Sequence, residues 1–195
     1  MDMDVQQRNR EQASRSAKKD LRFDWSPHVR REAHREMAAS YAPGQPRLAA
    51  QLREAFAQRD FVADFERRFS VLGLEANHLG DVTAAHWLSM WTVVHDAAFP
   101  SAAQVQRVRE QLADSWPRVA GIDDPRQRQL LSETMITELV LALDELEARR
   151  SAGDRKGLEL VSTRTAQAMR QKRGINLRAL AITDRGISAA GLGDA

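Results

Sequence analysis

The side chains of this chain best suited to chemistry are strung along one apolar stretch: His78, Asp81, His86 and His95. A histidine and an aspartate three residues apart share a helical face, and with a further imidazole they could hold a metal ion or activate water. The spacing opposes this. His86 and His95 are nine residues apart, so at 100° per residue they lie on opposite sides of a helix, and nothing matches HExxH or another compact ligand set. Asp81 has a structural task instead, since a carboxylate in a first helical turn faces the positive end of the helix dipole. His78 and Asp81 therefore read as a polar motif at a helix start, with neither a catalytic nor a metal role, and no cofactor is expected.

Other chemistries fare no better. The absence of cysteine removes disulfides, thiolate nucleophiles and Cys-ligated zinc or iron–sulfur centres. GxSxG, Walker A and GxGxxG patterns are missing. Glu133, Glu138, Asp144, Glu145 and Glu147 share one long helical segment, mostly off its apolar arc, which is the pattern of a solvated face and not of a paired-carboxylate site. Trp87 and Trp91, one turn apart, read as core packing, leaving Trp25 and Trp116 as the better exposed aromatics. Basic residues concentrate in the last third (Arg149, Arg150, Arg155, Lys156, Arg164, Arg170, Lys172, Arg173, Arg178). Glutamates intervene, however, and the net charge is only +2, so a solvated ion-paired face is expected before a nucleic-acid interface.

These residues need elements to position them. From Asp81 to Phe99 apolar side chains run almost all the way round a helix, with a polar stripe of only Ser89, Thr92 and Asp96. Such a helix is buried on every side, and it is too short and too interrupted by histidine to span a membrane. Around it the start and stop signals define others. Ser26-Pro27 opens a helix to about Tyr41, Arg47 to about Gln58 follows, and Asp60 caps a helix carrying Phe61, Phe65 and Phe69. Ser101 and Gln104 form a capping box, Asp124-Pro125 begins a long helix to about Arg150, and Asp154 begins another that Gly174 stops.

The long helix has a buried arc of Leu131, Met135, Ile136, Leu139, Val140, Leu143 and Leu146. Leu130 and Leu141, eleven residues apart, share an azimuth on its other side. No strand-period segment is evident. The expectation is an all-α, single-domain, irregular bundle of six or seven helices around a central helix at about 81–99. It spans 21–187, preceded by a mobile polar tail (1–20) and followed by a frayed terminus (188–195).

The order and spacing of the motifs His78-Leu79-Gly80-Asp81-Val82, Trp87/Trp91, Pro100-Ser101 and Ile182-Thr183-Asp184-Arg185-Gly186-Ile187 resemble those of a family of bacterial helical proteins, a domain of unknown function. The resemblance covers roughly Leu48 to Ile187, with Asn common in the family at the place of His78 and Ala at that of Gly80. It implies an all-helical fold and a periplasmic or secreted setting, and it brings no activity. The first twenty residues carry no apolar signal core, so any export signal lies outside the chain as given, and a cytoplasmic setting is the alternative.

The leading expectation is a non-enzymatic helical interaction domain. It would bind a protein partner or a second copy through Leu130 and Leu141, with Trp25 and Trp116 as further contact candidates. A nucleic-acid-binding module using the basic C-terminal third is the alternative, and a helical hydrolase near Asp81, His78 and His86 the weaker one. No membrane span is expected.

Overall fold

The computed structural model describes residues 20–113 and 122–189. Among them are seven α-helices: α1 (Pro27–Tyr41), α2 (Pro46–Gln58), α3 (Phe61–Phe69), α4 (Leu79–His95), α5 (Ala102–Ala113), α6 (Pro125–Ser151) and α7 (Arg155–Arg173). A two-stranded hairpin, β1 (Leu180–Thr183) and β2 (Gly186–Ala189), closes the described chain. The fold is an all-α bundle. No helix among the described residues is long and apolar enough to cross a membrane.

The helix starts follow the capping chemistry of the sequence. Ser26 accepts from the Val29 N–H, Asp60 from Val62 and Ala63, Asp124 from Arg126 and Asp154 from Gly157. Ser101 and Gln104 satisfy each other's backbone N–H groups in a capping box. Ahead of α1 the chain is extended: Leu21 O accepts from the Leu79 N–H and Phe23 N–H donates to Asn77 O, both at 3.1 Å. That pairing lays Leu21 and Phe23 into the core beside the start of α4.

α4 and α6 pack along each other at the centre. α7 and α5 lie on α4, α3 lies on α6, and α1 rests on α2 and α6. Leu79, Val82 and Leu88 of α4 are completely buried, and burial of such side chains contributes about 1.5–3 kcal/mol each.

Four sequence expectations need correction. The central helix ends at His95, not near Phe99: Asp96 adopts a left-handed conformation (φ 46°) and Ala97 N–H turns back to Thr92 O. The Asp96 carboxylate is fixed there by Arg150 at 2.7 Å, and Pro100 biases Phe99 away from helical geometry.

Nor is α4 shielded on every side. Trp87 and Trp91 are half-buried and His95 is exposed, whereas Ser89 and Thr92 of the polar stripe lie inside. Leu131 leaves the buried arc of α6 and is 39% exposed, because Gln129, Ser132 and Glu133 occupy that part of the interior.

Finally, residues 180–189 form strands where none was expected. A two-residue loop, Asp184-Arg185, reverses the chain, and Gly186 at φ 103° supplies a conformation few other residues adopt. Trp91 and Gln111 dock the hairpin. The Trp91 indole N–H donates to Leu180 O at 2.9 Å, and the Gln111 amide exchanges two hydrogen bonds with Ile187.

Candidate binding site

A cleft of about 450 Å³ lies between the α1–α2 pair and α7. Its walls are Met37, Leu48 and Leu52 on one side and Thr165, Ala168 and Met169 on the other. Leu141 of α6 and His86 and Met90 of α4 form the floor. The amphipathic period of α7 produces its wall, since 165, 168, 169 and 172 recur on one face. A smaller cavity of about 240 Å³, bounded by Leu130 and Thr134, adjoins it and shares Met37, Tyr41, Glu138 and Lys172.

The polar groups of the cleft centre on Glu138. Its carboxylate lies 3.0 Å from His86 Nε2, 3.4 Å from Lys172 Nζ and 3.5 Å from an Arg173 guanidinium nitrogen. Burial alone would raise the Glu138 pKa, but the His86 hydrogen bond and the two cations overcome that and hold it at about 2. Burial pushes the His86 pKa down despite Glu138, so the imidazole is neutral near pH 7 and donates Nε2–H to the carboxylate. The Lys172 pKa is raised: burial opposes charge, and Glu138 and Tyr41 outweigh it. Lys172 also lies 5.7 Å from the centre of the Tyr41 ring, a cation–π contact across the mouth of the cleft.

His78 and Asp81 sit elsewhere and are fully committed. His78 is the N-cap of α4, accepting from Asp81 N–H at 3.2 Å through Nδ1. The fully buried Asp81 carboxylate takes two hydrogen bonds from Arg109 of α5, at 2.5 and 3.0 Å, and one from Glu75 N–H at 3.1 Å. Burial would raise its pKa, and His78, whose Nδ1 lies 2.9 Å from the carboxylate, together with the Glu75 N–H and Arg109 keeps it below the usual carboxylate value. The three hydrolase candidates are thus divided: His78 and Asp81 latch helix ends together, while His86 faces the cleft with Glu138.

Of the remaining candidates, Leu141 forms cleft floor and Leu130 bounds the adjoining cavity, so the stripe on α6 is divided between two neighbouring cavities. Trp25 is turned to a different task, edge-on to Phe23 at 5.0 Å with the Arg30 guanidinium 5.1 Å from its ring centre. Trp116 lies outside the described residues.

The carboxylates of α6 are not a plain solvated face. Glu133 is 2% exposed and bound by Arg30 at 2.9 Å, and Glu138 is 24% exposed. Both owe their burial to partners on other helices, which no spacing within α6 reveals. The visible signal was the apolar-then-basic sequence Ala168, Met169, Lys172, Arg173, which sets an apolar wall and a cationic rim on one face of α7. Most basic side chains of the last third are paired: Arg149 with Glu145 and Asp154, Arg150 with Asp96, and Arg164 with Glu145.

Among the described residues no three His, Asp or Glu side chains are grouped to hold a metal ion. No family model matches the chain, and no curated protein or solved structure is significantly similar to it. The resemblance to an exported helical family therefore rests on the motifs that suggested it.

Proposed function

We propose that this protein is a non-enzymatic binding domain whose working surface is the cleft between α1–α2 and α7. The observation that carries this reading is the depth of the cleft. It reaches His86 and Met90 on the innermost helix, and its walls are apolar side chains with a few convergent polar groups, which is the composition of a ligand site. Its volume of about 450 Å³ falls within the range of small-molecule pockets, about 300–1,000 Å³. Against catalysis, among the described residues the carboxylate paired with His86 is held ionised by three donors, and no activated nucleophile stands beside the imidazole.

Self-association or a protein partner on the Leu130/Leu141 stripe competes for the same surface. An exported setting, as the resemblance implies, belongs to the proposal and is tested by cell fractionation.

The direct test is titration with the uncharged fluorophore 1-N-phenylnaphthylamine. Emission should rise on binding, and Leu141→Arg, which places a charge on the floor, should abolish the rise while circular dichroism stays helical. Equal emission from the wild type and from this variant would place the probe elsewhere and remove the cleft as the working surface.

A further inference from the structure

The cleft mouth has an uneven charge balance that names a class of guest. Its lining carries three cations, Arg164, Lys172 and Arg173, against two carboxylates, Glu138 and Glu145. With His86 neutral, one positive charge is left over. The three cations are not equally committed. Arg164 pairs with Glu145, and Arg173, two-thirds buried, backs Glu138. Of the two cations on Glu138, Lys172 is the more exposed, 55% against 33% for Arg173, and the carboxylate keeps His86 and Arg173 if the lysine turns to a guest. Below the mouth Met90, Leu141 and Met169 form an apolar surface beside the Glu138–His86 pair, and flexible methionine side chains adapt to a guest without a fixed shape.

Resting on the binding-domain reading, we propose that the cleft takes a single-chain amphiphile with one anionic headgroup, a long-chain carboxylate being the simplest case. Its alkyl chain lies along Met90, Leu141 and Met169, and its headgroup pairs with Lys172 at the mouth. A slender chain suits this floor better than a protein helix. A helix with its side chains is about 10–12 Å across and would rest on the rim, where Lys172 bridges to Tyr41. The surplus positive charge selects against cationic amphiphiles, and the apolar depth selects against small hydrophilic anions.

The test uses the purified full chain with oleate, dodecyltrimethylammonium and inorganic phosphate as probes, the two amphiphiles below their micelle concentrations, read by isothermal titration and by displacement of 1-N-phenylnaphthylamine. Oleate should bind and displace the fluorophore, the ammonium amphiphile should bind at least about tenfold more weakly, and phosphate should not bind. Lys172→Glu removes one of the cations on Glu138 and sets a like charge beside it, so Lys172→Met is measured with it. In each variant that circular dichroism shows to stay helical, oleate should bind at least about tenfold more weakly and the cationic amphiphile more tightly. Such a reversal corresponds to about 1.4 kcal/mol or more per probe.

Fluorophore binding without oleate preference, or oleate affinity indifferent to Lys172→Glu, would overturn this inference and leave the binding-domain reading standing. Light scattering that showed a dimer broken by Leu141→Arg, with no oleate uptake, would overturn it in favour of a second copy as the occupant.

Discussion

Replacing Glu138 by Gln isolates the charge at the centre of the cleft while keeping an acceptor for the His86 N–H. In the folded protein the carboxyl group is held at about 2, against 4.5 for a free one. At about 1.4 kcal/mol per pKa unit the whole shift corresponds to about 3 kcal/mol. Part of it comes from the charge of protonated His86, so at neutral pH, where His86 is uncharged, the ionised form contributes less than that. The sign follows from proton binding. Between pH 4.5 and 2 the unfolded chain holds the proton and the folded chain does not, so stability is complete above the unfolded value and is lost as pH falls through the folded one. On this basis roughly half of the contribution survives at pH 3 and little of it at pH 2.

Glu138→Gln should therefore cost between about 1 and 3 kcal/mol at pH 7, and its deficit against the wild type should vanish as pH falls toward 2. Urea unfolding followed by tryptophan fluorescence at pH 7, 5, 4 and 3 measures both limbs. A deficit below about 1 kcal/mol at pH 7 would show that Lys172 and Arg173 do not stabilise the carboxylate as drawn. A deficit that stayed constant to pH 3 would show that its cost comes from packing and not from charge.

Three other outcomes follow from the same geometry. Because burial depresses the His86 pKa, wild-type stability should decline as pH falls below about 6.5, and His86→Gln should flatten that decline in urea melts between pH 7 and 5. Asp81→Asn leaves the Arg109 guanidinium without its bidentate partner. It should cost about 3 kcal/mol, or about 6–12 °C in melting temperature, while Arg109→Met combined with it should cost less than the sum of the two. Gly186→Ala forces a side chain into a left-handed conformation 2.6 Å from Gln111 Oε1, so the hairpin should detach at a cost of about 1–3 kcal/mol, read as a red shift of Trp91 emission and faster proteolysis near residue 185.

The elements that were legible in the sequence are those whose signals are local. Ser26-Pro27, Asp60, Asp124-Pro125 and Asp154 each stand one residue before a helix, because an N-cap acts on N–H groups two or three residues away. The apolar circuit of α4 announced its central place for a similar reason: a helix without a polar face has nowhere else to go.

What escaped the sequence depends on partners far along the chain. Glu133 and Glu138 look like solvated residues until Arg30 and His86 arrive from other helices. The hairpin has strands of only four residues, too short for a period of two to register, and its stability comes from Gln111 and Trp91 on separate helices. Leu130 and Leu141 were recognisable as a surplus stripe, but the sequence could not distinguish a face awaiting another helix from the edge of a cleft.

That distinction turns on why the cleft stays open. Apolar walls facing each other across water should close, since burying their surface is favourable at about 25 cal/mol per Å². Here each wall is tied to the central pair of helices by polar contacts that closure would have to break. α1 is fastened to α6 where Gln129 exchanges two hydrogen bonds with the Ser26 backbone, both at 2.9 Å, and where Arg30 meets the buried Glu133. α7 is held by Ser162 to Val94 O at 2.6 Å and by Lys172 and Arg173 to Glu138. Moving either wall inward would strand Glu133 or Glu138 without its cations, and an uncompensated buried carboxylate costs several kcal/mol. Unlike a stripe of leucines between mobile helices, an apolar space braced in this way is organised in advance of its guest, so little binding energy is spent on ordering the walls.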